Sequence, residues 1–87
     1  MDKKINSNSE DNKSYSKIRF LAYTFIGKNC EFINCEFEHG CVIKESCKFT
    51  NCTFDKCCNF ARGGTFARGC EFVQCTFDNI LISKMIY

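Results

Sequence analysis

The sequence predicts an all-β fold: a single-domain parallel β-solenoid of about three to four short coils, with Phe and Cys ladders in its core. Three observations predict it. A four-residue phrase, turn residue–Cys–any–Phe, recurs from Asn29 onward, as in Asn29-Cys30-Glu31-Phe32, Asn34-Cys35-Glu36-Phe37, Ser46-Cys47-Lys48-Phe49 and Gly69-Cys70-Glu71-Phe72. Large apolar residues advance by fives and sixes through Tyr15, Phe20, Ile26, Phe32, Phe37, Ile43, Phe49 and Phe54, where a helix needs steps of three and four. Cys and Phe within a phrase are two apart, so both face the same side of a strand. So short a unit buries its apolar side only against the next coil.

Residues 1–14 (MDKKINSNSEDNKS) are polar apart from Met1 and Ile5 and bury too little surface to offset their ordering entropy. They are expected to be a disordered N-terminal arm, with the solenoid spanning 15–87. From Tyr15 each phrase reads as a strand entered through a corner. The corner residue precedes the Cys and is mostly Asn or Gly, types that tolerate a left-handed backbone. Two stacking registers fit. A three-sided coil of about 17 residues gives the columns Ile26/Ile43/Phe60/Phe77 and Phe32/Phe49/Phe66/Ile82. A four-sided coil of about 22–23 residues instead aligns Cys47–Asp55 with Cys70–Asp78. Both keep Phe on Phe and Cys on Cys. The absence of Pro suits closely stacked strands, where Pro would delete a ladder hydrogen bond. Ile80, Leu81, Ile82, Met85, Ile86 and Tyr87 make the tail the most apolar stretch, expected to cap the last coil or to pair with a second chain.

A net charge of +2 argues against direct nucleic-acid binding and against an acidic mimic of DNA. Met1 to Ser16 does not read as a signal peptide, and no apolar run reaches membrane-spanning length. A cytoplasmic, reducing location is expected, with the nine cysteines as free thiols. Their spacing follows the structural period rather than that of zinc knuckles, so they read as small core fillers and no metal is expected. Cys57 breaks the pattern by standing at a corner and is the candidate exposed thiol. His39 beside Gly40 reads as a solvated turn residue; its catalytic alternative is the general base of an acyltransferase. Glu31, Glu36, Glu38 and Glu71 alternate outward and lack a dry cleft. The duplication Ala61-Arg62-Gly63 and Ala67-Arg68-Gly69, with Lys44, Lys48 and Lys56, offers a basic face for an acidic partner.

Cys30-Glu31-Phe32-Ile33-Asn34 followed by Cys35-Glu36-Phe37, Cys47 to Phe54 and Cys70 to Phe77 resemble the pentapeptide-repeat proteins, whose unit places Ala or Cys two before a central Leu or Phe. The likeness covers about residues 17–82. It departs from the family in having Glu, Thr, Lys or Val before the central Phe and many six-residue steps. Those steps, as in Ile26 to Phe32, are similar to hexapeptide left-handed β-helices and bactofilin-type triangular solenoids. The resemblance implies a non-enzymatic protein-binding module, an inhibitor of or protector against a nucleic-acid-processing or defence enzyme, such as phages and plasmids encode. It also implies a homodimer formed through the C-terminal end. No cofactor is expected. Contacts to the partner are expected at Arg62, Arg68, Lys44 and Lys48. The alternative is a self-assembling structural protein that polymerises end to end as bactofilins do.

Overall fold

The structure, a computed structural model, describes residues 3–5, 9–55, 69–77 and 80–86. Among these, the secondary structure is entirely β, in short strands: β1 (Lys3–Ile5), β2 (Ser14–Ser16), β3 (Ile18–Phe20), β4 (Phe25–Ile26), β5 (Glu31–Ile33), β6 (Glu36–Phe37), β7 (Val42–Ile43), β8 (Lys48–Thr50), β9 (Thr53–Phe54), β10 (Glu71–Phe77) and β11 (Ile80–Ile86).

Parallel pairing stacks them in three columns. The first is β2, β5, β8 and the start of β10; the second is β1, β3, β6, β9 and the end of β10; the third is β4 on β7. Because β10 pairs with β8 through Glu71–Val73 and with β9 through Thr76 and Phe77, it joins the first two columns into one sheet. That sheet runs β1-β3-β6-β9-β10-β8-β5-β2 and curls into a half-barrel. The bend within β10 falls at Gln74, whose φ is 54°.

Corners sit where the sequence places them. Asn29, Asn34, Ser46, Asn51 and Gln74 each precede an inward Cys and have φ between 53° and 61°. The left-handed backbone there costs a non-Gly residue about 1–2 kcal/mol, least for Asn, which explains the Asn enrichment. Stacked corners also bond to one another: Asn29 Nδ2 donates to Asn12 Oδ1 at 2.7 Å, and Asn51 Nδ2 to Asn34 Oδ1 at 2.6 Å.

Both candidate registers occur. Partners are 17 positions apart between β5 and β8 and between β6 and β9, as between the stacked Asn corners. The last step is 23: Glu71 stands on Lys48 and Thr76 on Thr53, and the Cys47 N–H donates to Cys70 Sγ across the same interval. The 17-residue columns are thus right for Ile26/Ile43 and Phe32/Phe49 and fail at the end, where Phe72 covers Phe49 and Phe77 covers Phe54. Phe60 and Phe66 lie outside the described residues.

Within the segment expected to be an N-terminal arm, the described residues bond to the next layer. Lys3–Ile5 pair with Ile18–Phe20, Ser9 N–H donates to Phe25 O, and Asn12 N–H donates to Lys28 O. Ser9 Oγ and Asp11 Oδ1 accept from the N–H groups of Gly27 and Lys28. Gly27 is needed at this contact, since a Cβ there would collide with the Glu10 carbonyl. Ladder and corner hydrogen bonds hold these residues, with Ile5 packed against the core.

The core consists of Phe20, Phe32, Phe37, Phe49, Phe54 and Phe72 with Ile18, Ile26, Ile43 and the inward cysteines. Tyr15, Phe32, Phe49 and Phe72 stack face to face up the first column, and Phe20, Phe37, Phe54 and Phe77 up the second. Rings of different columns meet edge to face, as Phe37 and Phe49 do at 5.5 Å and 79°. Burying a Phe contributes about 1.5–3 kcal/mol, and each well-placed ring pair about 0.5–1.5 kcal/mol more.

Phe49 is fully buried between two stacked rings, whereas Phe25 is 45% exposed. Phe49→Ala should therefore cost about 3–5 kcal/mol in urea unfolding, and Phe25→Ala about 1 kcal/mol or less. Equal losses from the two would contradict this assignment of inside and outside.

Candidate functional site

Chemistry-bearing side chains fall into two sets, an internal array of thiols and an external array of charges. The residue before each of β5, β6, β7, β8 and β9 is an inward Cys, as are Cys70 before β10 and Cys75 within it. Stacking therefore generates one column of Cys30, Cys47 and Cys70 and another of Cys35, Cys52 and Cys75. Cys41 stands over Thr24 in the third column, next to the Ile26/Ile43 pair. All seven are free thiols exposed by no more than 3%.

A thiol does more here than fill space. Cys30 Sγ donates to Glu10 O at 3.0 Å, Cys47 Sγ to Gly27 O at 3.1 Å, Cys70 Sγ to Lys44 O at 3.0 Å and Cys41 Sγ to Leu21 O at 3.3 Å. Each ties one rung to the preceding layer, where Ala would fill less volume and donate nothing. Thr24, at the same position, sends its hydroxyl to Leu21 O at 2.8 Å. Thiols also neighbour one another along the columns, Cys52 with Cys35 and Cys75, and Cys47 with Cys70, whose Sγ accepts from the Cys47 N–H at 3.3 Å. The bond from Cys52 holds Cys35 and Cys75 down to about 7, below the usual thiol value. The same bonds, with burial, push Cys52 well up. The Cys47–Cys70 bond likewise raises Cys47 and lowers Cys70, while burial raises Cys30. Near-zero exposure decides their reactivity, because a thiolate that solvent cannot reach is no nucleophile toward an outside reagent.

On the outer wall, the first column presents Glu31, Lys48 and Glu71 on consecutive rungs, with Lys48 Nζ 3.8 Å from Glu71 Oε1. In the second, Arg19 Nε donates to Glu36 Oε1 at 3.0 Å, and its Nη1 lies 3.5 Å from Glu38 Oε2. These half-exposed pairs contribute about 0–1 kcal/mol each and chiefly keep the wall solvated. Between Arg19, Glu36, Glu38, Thr53 and Asp55 runs an open groove of about 180 Å³, floored by Phe37 and Phe54. Arg19 was not legible as a member of this set, since no Cys marks its phrase.

The expected partner-contact residues are only partly brought together. Lys48 is exposed and beside Glu71; Lys44 is half-buried, and the left-handed corner at Ser46 separates the two. Arg62 and Arg68, with Lys56 and the candidate exposed thiol Cys57, lie outside the described residues. His39 is exposed at its turn, edge-on to the Tyr23 ring at 5.3 Å, while its carbonyl accepts from Tyr23 N–H. Ile80, Leu81, Ile82, Met85 and Ile86 lie in β11, which folds back antiparallel on β10 with Phe77 opposite Ile80 and Glu71 opposite Ile86; Tyr87 is outside the described residues. Leu81 is 62% exposed on that strand.

Among the described residues, no group of three or more His, Cys, Asp or Glu is arranged to hold one metal ion, and no helix is long and apolar enough to cross a membrane. Compared with protein-family models, curated proteins and solved structures, the chain matches none.

Burial of the seven thiols predicts the outcome of a titration with Ellman's reagent. The native protein should release thionitrobenzoate quickly from Cys57 and Cys58 at most, and the other seven thiols should react only in denaturant. Fast reaction of more than two thiols would contradict the packing.

Proposed function

We propose that the chain is a β-solenoid of the pentapeptide-repeat type that works as a non-enzymatic protein-binding module, with a partner docked on its outer wall. The observation that carries this reading is the division between inside and outside. Phe and Cys side chains fill the described interior, so recognition falls to the side chains held outward on a rigid ladder at rung spacing. A regular wall of this kind presents charges such as Arg19, Lys48 and Glu71 in fixed places at little entropic cost on binding. The net charge of +2 favours a protein partner over a nucleic acid. The Cys-any-Phe repeat supports the family reading and, by analogy alone, an inhibitor of or protector against a nucleic-acid-processing or defence enzyme.

The same reading includes a homodimer through the C-terminal tail. β11 ends its sheet beyond β10, carries the exposed Leu81, and has one charged residue, Lys84, among its seven. An edge of that character favours pairing with another strand. Self-assembly into a polymer has less support, because β11 reverses the strand direction that further parallel stacking would have to continue.

Capture from lysate of the source or host, with the double variant Arg62→Glu/Arg68→Glu alongside, tests the binding reading. One stoichiometric partner is expected, with its retention reduced at least about tenfold by the charge reversal. Recovery of only its own chain would overturn the binding reading; a partner retained equally by the variant would remove these arginines from the interface.

A further inference from the structure

The two thiol columns have an arrangement that neither core filling nor partner binding requires. Cys30, Cys47 and Cys70, and likewise Cys35, Cys52 and Cys75, stand in register on consecutive strands that pack about 4.8 Å apart. By that register Cys52 lies between Cys35 and Cys75 in its column, and Cys47 lies between Cys30 and Cys70 in the other. The Cys47 N–H points at Cys70 Sγ from 3.3 Å, a donor that would stabilise negative charge on that sulfur. Around them, Phe32, Phe49 and Phe72 exclude water.

We propose that these columns bind a monovalent, thiophilic d10 cation, Cu(I) in the first instance, between rungs and in two-coordinate geometry. Such a site takes one sulfur from each of two stacked strands, and so needs no cluster of three ligands around a point. Soft thiolate donors select Cu(I) over the harder divalent ions. Binding is a proton exchange without electron transfer: the cation forms two metal–sulfur bonds, two S–H bonds break, and two protons leave to water. The resulting bis-thiolate carries one negative charge, which the Cys47 N–H is placed to offset in the first column. A dry aromatic surround would also keep oxygen and water away from the bound cation.

The test uses the full chain with Cys57→Ser and Cys58→Ser, so that only the described thiols remain. It is titrated anaerobically with the Cu(I)–acetonitrile complex against millimolar glutathione, then desalted and assayed for copper. About one cation per column is expected, with X-ray absorption reporting two sulfur neighbours. Cys52→Ala interrupts both pairs of one column and should halve the copper retained, as should Cys47→Ala in the other. Cys41→Ala, which removes a thiol outside the columns, should leave it unchanged, with circular dichroism confirming that each variant is folded. If Cys52→Ala does not fold, Cys47→Ala and Cys41→Ala carry the comparison. No copper retained against glutathione, three sulfur neighbours, or equal loss in Cys41→Ala and the column variants would overturn the proposal. Because the readout is metal content, failure here leaves the protein-binding reading standing.

Discussion

Phe32, Phe49 and Phe72 lie face to face with ring centroids 4.9 Å apart, and Phe20, Phe37, Phe54 and Phe77 do the same at 4.7–5.0 Å. This spacing is close to the separation of hydrogen-bonded strands, about 4.8 Å, so one geometry satisfies the backbone ladder and the rings together. Every other feature is subordinate to it. Corners must turn tightly enough to return the chain under the same ring, which selects Asn or Gly at left-handed φ. In the later layers the residue after the corner is Cys, small beside the Phe that fills the adjacent volume, and its thiol ties its rung to a carbonyl of the preceding layer.

That constraint also shapes what the molecule presents to others. With rings and thiols filling the core, carboxylates such as Glu36 and Glu38 meet Arg19 in a solvated groove. Beyond β10 lies β11, which runs against the direction of the other strands. The protein-binding proposal follows from this arrangement, since outward side chains on a rigid support are what it offers to a partner.

Much of the fold was legible in the sequence because two periodicities are written into it. The interval of two between Cys and Phe gave the strand faces, and the steps of five and six gave the corners. The register stayed open because Phe and Cys recur at both 17 and 23 positions. Strand pairing decides it, with Phe49 under Phe72 and Phe54 under Phe77. The corners of the first layer were less legible for a different reason: Lys13, Ile18 and Thr24 stand where later layers have Cys, so Asn12, Lys17 and Tyr23 gave no sign of being corners. The candidate surface was less legible. Lys44 and Lys48 are close in sequence, yet a corner divides them, and the pairing of Arg19 with Glu36 spans a stacking step that no local pattern reveals.

The most direct check on this account is a set of aromatic NOEs from the protein with selectively labelled Phe rings. Two unbroken chains of contacts are expected, Tyr15–Phe32–Phe49–Phe72 and Phe20–Phe37–Phe54–Phe77. Contacts from Phe49 to Phe66 and from Phe77 to Phe60, without those from Phe49 to Phe72 and from Phe54 to Phe77, would mean a uniform 17-residue step. They would contradict the ring columns on which the rest depends.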